Sequence, residues 1–209
     1  MTRNNNVSNR IAVFLLMLLT ASFILLPGCS GSKGDASAVR EDLESMRYVE
    51  LDSATEAEIE SILSDQGKEY FEMFLAKAGE FEYELTDSRE AESGDETIIT
   101  VQIKTYDFAS EYLRSWSEFL EKNGSEAAEN RTESGDEPEP EYDQAELYET
   151  LFKNLSSAKD KSYITETEIH CAESEDGSWH TDAKTNTAVK NAILGGMLNE
   201  IASLAGVSY

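Results

Sequence analysis

The segment Thr97–Tyr106 (TIITVQIKTY) constrains the fold more than any other stretch of the chain. Ile99, Val101 and Ile103 fall at every second position, the period of a strand with one buried face. Such a strand cannot stand alone. Its backbone N–H and C=O groups need neighbouring strands, and its apolar face needs a cover. A neighbour lies just upstream. Phe81-Glu82-Tyr83-Glu84-Leu85 alternates apolar and acidic residues, and Ser93-Gly94-Asp95 between the two segments is a turn signal, so the pair predicts a β-hairpin.

Helices supply the cover. Ala38–Arg47 (AVREDLESMR) carries Val39, Leu43 and Met46 at helical spacing. Asp52 and Ser53 offer caps for the next segment. There Ile59, Ile62 and Leu63 form one apolar stripe, and Tyr70, Phe71, Phe74 and Leu75 form another. Gly67 between them predicts a break or kink near Asp65–Gly67. Asp107 reads as the cap of a helix after the hairpin, with Phe108, Tyr112, Trp116, Phe119 and Leu120 inward and Gly124 as its stop. Gly124–Asp143 is rich in Glu, Ser, Gly and Pro and has no apolar period, so it predicts a mobile, solvated acidic loop. It lacks the D-x-D-x-D-G spacing of a calcium loop.

The second half repeats the plan. Leu147, Leu151, Phe152 and Leu155 mark a helix, and Tyr163–Ala172 (YITETEIHCA) an alternating strand. Glu173–Gly177 reads as a turn, and Ser178-Trp179-His180 begins the returning strand. Asn186–Ala205 predicts a last helix with Gly195-Gly196 in its middle, where two glycines cost about 1 kcal/mol each and point to close packing, against the sheet more readily than against a partner. Two hairpins with helices segregated around them describe an α+β domain over residues 38–209, built on a curved four-stranded antiparallel sheet packed with helices.

The N-terminus has a different character. Residues 1–10 carry Arg3 and Arg10 and no acid, and Ile11–Leu26 is almost wholly apolar, the layout of a secretory signal. The apolar run falls short of the ~20 residues of a spanning helix. Leu26-Pro27-Gly28-Cys29 then resembles the lipobox of bacterial lipoproteins. The resemblance implies cleavage after Gly28, a diacylglyceryl thioether on Cys29, and attachment to the outer face of the cell membrane. Two acyl chains anchor a protein stably where one binds marginally. Cys29–Ser37 is small and polar, as in a flexible tether.

Charge fits that location. All 42 Asp and Glu lie beyond Gly28, against 15 of the 17 Lys and Arg, so the mature chain carries a formal charge of −27. Nucleic acid and anionic headgroups call for basic patches, so neither is an expected partner. With Cys29 lipidated, Cys171 has no partner for a disulfide within the chain and reads as a small apolar strand residue.

The lipobox, Lys104-Thr105-Tyr106-Asp107-Phe108, Asp176-Gly177-Ser178-Trp179 and Asn191-Ala192-Ile193-Leu194-Gly195-Gly196-Met197 together resemble small lipoproteins of Clostridia-like Gram-positive bacteria. Their domain of unknown function is similar to the cystatin-like fold of the nuclear transport factor 2 type. The resemblance brings no established activity and no catalytic residues to carry over, and no cofactor is expected.

Motifs of chemistry are absent: no G-x-S-x-G, Walker loop, H-E-x-x-H or C-x-x-C occurs. His170 and His180 would face each other if the second hairpin were symmetric about Glu175, and with a nearby Glu they would be candidate zinc ligands; a turn centred elsewhere separates them. Neighbours in a strand point to opposite faces, so His170 is poorly placed to activate Cys171. Glu82/Glu84 and Glu166/Glu168 are carboxylate pairs on single strand faces, more often a solvated surface than an acid–base site. Tyr106, Tyr112 and Trp116 are candidates for a ligand pocket, with core packing as the alternative. Three functions remain open. The leading one is a non-enzymatic domain binding an envelope ligand or protein. The others are a small acid–base enzyme and a structural spacer or oligomerisation module. The ligand and the oligomeric state are not legible.

Overall fold

The computed structural model describes residues 35–48, 51, 53–129 and 143–205, with the backbone alone at 54, 58 and 123–129. The signal region, Gly28, Cys29, the tether through Gly34, Asp52 and residues 130–142 of the acidic loop lie outside the described residues.

The alternation at 97–106 is realised as strand β2 (Glu96–Thr105), between β1 (Glu82–Glu90) and β3 (Tyr163–Glu173), with the short β4 (Trp179–Thr181) beyond β3. All neighbours are antiparallel and the order is β1-β2-β3-β4. Ile99 lies opposite Ile169, Val101 opposite Leu85 and Thr167, and Ile103 opposite Tyr83 and Thr165. Ile99, Val101, Ile103, Ile169 and Cys171 are buried on one face. Glu82, Glu84, Glu166, Glu168 and His170 are exposed on the other, the division expected of a sheet solvated on one side. The pairing slips between Leu85 and Asp87, so Thr86 is the extra residue of a bulge. From Thr86 onward β1 consists of five exposed polar residues, which is why alternation in the sequence stopped at Leu85 while the strand did not.

Helix α1 (Asp35–Ser45) buries Val39 and Leu43 as expected and packs on β3 and β4. Asp42 fixes it there: its carboxylate accepts a 2.6 Å hydrogen bond from the Thr181 hydroxyl and pairs with Lys184 at 2.8 Å. Beyond the helix, the Arg47 guanidinium donates to the carbonyls of Gly79 and Phe81 and covers the Phe81 ring at 4.7 Å. Helices α2 (Ser53–Ile62) and α3 (Asp65–Ala78) are separate, as Gly67 suggested, but the break falls at Leu63–Ser64. Ser64 is the cap whose hydroxyl accepts from Gly67 N–H, so a side-chain acceptor, not the glycine, sets the boundary.

Helix α4 (Phe108–Glu129) begins where expected, with Asp107 accepting from Ser110 N–H. Its end differs. The helix runs through Gly124 to Glu129, so Gly124 is not its stop and the acidic loop cannot begin there. A lone glycine costs a helix only about 1 kcal/mol, too little to end it without a cap geometry behind it. Leu120 is 39% exposed and not inward. The buried line is Phe108, Tyr112, Ser115 and Phe119, with the Ser115 hydroxyl donating to Glu111 carbonyl and accepting from Asn154. Helix α5 (Gln144–Ser156) is capped by Asp143 and packs along α3, where Phe71 and Phe74 meet Phe152 at 4.8 and 5.9 Å.

The last predicted helix is two: α6 (Thr187–Ile193) and α7 (Met197–Ala205). Gly195 and Gly196 lie between them with φ of 56° and 81°. Gly196 N–H donates to Asn191 carbonyl and Gly195 N–H to Ala192 carbonyl, the paired bonds of a Schellman stop. The glycines do serve close packing, Gly195 against Tyr106–Phe108 where the sheet hands over to α4 and Gly196 against the Tyr163 ring, but they end a helix and do not sit inside one. The buried apolar side chains form one contiguous core. No helix among the described residues is long and apolar enough to cross a membrane.

Two hydroxyls on the inner sheet face, Thr105 Oγ1 and Thr167 Oγ1, are buried without a hydrogen-bond partner among the described residues. An unpaired buried hydroxyl costs roughly 1–3 kcal/mol. Thr105→Val keeps the branched shape and removes the orphan, so it is expected to raise stability by about 1 kcal/mol in urea unfolding. A loss of stability would show that the hydroxyl is in use.

Candidate functional site

The second hairpin decides the histidine question. Ala172 pairs with His180 and Glu173 with Trp179, so the turn is centred on Asp176 and not on Glu175. His180 therefore faces Ala172. The group that meets His170 from across the hairpin is Asp182, whose carboxylate accepts its backbone N–H at 2.9 Å. Both imidazoles are exposed and turn to other partners: His170 Nδ1 lies 3.1 Å from Glu96 Oε2, and His180 Nε2 lies 3.2 Å from Ser178 Oγ. No group of three or more His, Cys, Asp and Glu able to hold a metal occurs among the described residues.

Cys171 is fully buried on the inner face while its neighbour His170 is on the outer one, as strand parity requires. Burial pushes its thiol up to about 12, with Asp35, Asp182 and Asp42 adding to the effect. A thiol held neutral and out of reach of solvent is no nucleophile.

The aromatic candidates pack in the core or against it. Tyr112 is 1% exposed; burial, and then the Glu200 carboxylate, make its phenolate unfavourable. Trp116 is half-buried and stacks on Phe119. Tyr106 packs against Phe108 at 5.6 Å, and its hydroxyl donates to Glu80. That bond, then burial, raise its phenol to about 12. Tyr106 is the centre of a cluster that sequence spacing gave no sign of. Lys77 and Lys161 lie over its ring at 4.5 and 5.7 Å, and Lys161 also donates to Glu80 carbonyl and pairs with Glu82 at 3.0 Å. These residues come from α3, the start of β1, the end of β2 and the approach to β3. Their signal is tertiary: each cation is matched by a carboxylate or an aromatic face, so the cluster ties four segments together at that end of the sheet.

The carboxylate pairs separate in the same way. Glu82 is lowered by hydrogen bonds first from Lys161 and then from Lys104, and Glu168 pairs with Arg89 at 2.9 Å, all on the solvated face. Glu84 and Glu166 are exposed there too. Exposed, solvent-screened pairs of this kind add little to stability and form a solvated surface.

The described residues thus offer a solvated, ion-paired sheet face and a tightly filled core, and no side chains converge as a catalytic set. No protein-family model matches the chain, and neither a curated protein nor a solved structure matches it.

Proposed function

We propose that the chain is a membrane-anchored extracytoplasmic lipoprotein, held by a diacylglyceryl group on Cys29 at the outer face of the cell membrane. Its α+β domain, of the cystatin-like, nuclear transport factor 2-like type, binds a ligand or a protein of the envelope and carries out no reaction. The observation that carries this reading is Leu26-Pro27-Gly28-Cys29 at the end of a basic, then apolar leader. Helix α1 opens at Asp35, six residues beyond the cysteine. The absence of acids before Cys29 and their abundance after it divide the chain at the same point.

Intact mass and membrane fractionation in a lipoprotein-processing bacterium test the reading. The expected product lacks residues 1–28 and gains a diacylglyceryl mass on Cys29. Cys29→Ala is expected to leave the membrane pellet almost completely when its leader is replaced by a cleavable one. An uncleaved, unlipidated wild-type chain would refute the anchor.

A further inference from the structure

Charge is unevenly placed along the sheet. Both hairpin turns lie at one end, because Glu96 at the start of β2 pairs with Ala172 at the end of β3. That end exposes Glu90, Glu92, Asp95 and Glu96 from one turn and Glu173, Glu175 and Asp176 from the other. The cations beside it, Arg89 and Lys184, are paired with Glu168 and Asp42, and leave those turn carboxylates in excess. At the opposite end Lys104 and Lys161 are paired with Glu82. Helix α1 begins at the acidic end: Asp42 bonds Thr181, which pairs with Cys171 two steps from the last pair before the second turn, and the chain then runs to Arg47, which reaches Phe81 at the other end of the sheet.

Cys29 is six residues before Asp35. Fully extended, that length spans roughly 20 Å. The anchor therefore ties the domain to the bilayer by an acidic edge. We propose that this edge faces the membrane and is repelled by an anionic leaflet, so that the domain stands at the far reach of its tether over anionic lipid and settles closer over neutral lipid. The inference rests on the lipid-anchor reading. Its physical basis is the negative potential of an anionic surface, which decays within a Debye length of about 10 Å at 0.1 M salt and about 3 Å at 1 M. The solvated sheet face and the end built around Tyr106 are then left clear for a partner.

Trp179, on β4 beside the second turn, is a built-in reporter once Trp116→Phe removes the other tryptophan. The lipidated protein, its mass confirmed, is placed in vesicles of phosphatidylcholine alone or mixed with phosphatidylglycerol, each with a dansyl headgroup as energy acceptor. Transfer from Trp179 is expected to fall at least twofold on the anionic vesicles at low salt. Molar salt should restore it, and the quadruple variant Glu92→Gln, Asp95→Asn, Glu173→Gln, Asp176→Asn should not show the fall. A second variant, Trp116→Phe, Trp179→Phe, Ile164→Trp, places the reporter at the other end of β3, about 30 Å away at the usual rise per residue. Its transfer should be weaker than that of Trp179 on every vesicle. Stronger transfer from position 164, or transfer from Trp179 that ignores lipid charge, overturns the proposal. If the mass shows no lipid, the anchor reading fails by itself. The Cys29 thiol is then coupled to a maleimide lipid, Cys171 being buried, and the same vesicle comparison decides the electrostatic claim separately.

Discussion

Gly195→Ala is expected to lower the unfolding free energy by about 3–5 kcal/mol, from two causes that a control can separate. The first is conformational. At φ of 56° a side chain is strained, and a left-handed residue with a Cβ costs roughly 1–2 kcal/mol. The second is steric. A Cβ on Gly195 would sit 2.0 Å from the Tyr106 carbonyl oxygen and 2.9 Å from Phe108 N. Those atoms are backbone at the junction of β2 and α4, and they cannot turn aside as a side-chain tip does. Gly195 carbonyl also accepts from Ala109 N–H at 3.3 Å, so moving the segment away would give up a bond that steadies the first turn of α4. Gly94→Ala is the control. It has φ of 77° but nothing within 4 Å of its Cβ, so it should lose only the conformational cost of about 1–2 kcal/mol. Urea unfolding of both variants reads the difference. Equal losses would mean that Gly195 is present for its dihedral angle alone, and that the contact with Tyr106 yields easily.

The pair Gly195-Gly196 shows where sequence reading succeeds and where it stops. Strand periodicity found β2 and β3 because one face of each is buried and the other wet, and that contrast is written residue by residue in Ile99, Val101, Ile103 and Ile169. Cap chemistry at Asp107 is equally local and equally legible. What could not be read depends on contacts far apart in the chain. Gly195-Gly196 read as a site of close packing inside one long helix; that the pair ends a helix, and that Gly195 meets Tyr106 89 positions away in sequence, depends on contacts no local pattern shows. The centre of the second turn was one residue from the assumed one, and in a hairpin that step decides which pairs face each other, so His170 and His180 parted. The bulge at Thr86 left no mark in the hydropathy pattern because the strand beyond it is polar on both faces. The cluster around Tyr106 draws Lys77, Glu80 and Lys161 from separate segments, and no spacing rule joins them.

Phe74→Ala is expected to cost about 3–5 kcal/mol, because Phe74 is the side chain that joins three helices. It lies on α3, fully buried, with its ring 5.2 Å from Phe108 at the start of α4 in an edge-to-face contact and 5.9 Å from Phe152 on α5. Phe71 on its own helix is 6.4 Å away. Truncation removes most of a buried aromatic side chain and leaves a cavity whose walls belong to different helices, so collapse of one wall alone cannot fill it. Phe74→Leu refills part of that volume and should cost markedly less, about 1–2 kcal/mol. The adjacent Met73 is 49% exposed, and Met73→Ala should stay within about 0.5 kcal/mol. The three variants are compared by the urea midpoint at constant slope, which reads stability without a change in the surface exposed on unfolding. The sheet and the helical layer share one contiguous core, so loss of the Phe74 contacts should lower the single unfolding transition as a whole. If Phe74→Ala instead split the transition in two, the helices α3–α5 would be unfolding apart from the sheet. The Tyr106 cluster, whose Lys77 stands on α3, would then be a hinge between two cooperative units and not a tie within one.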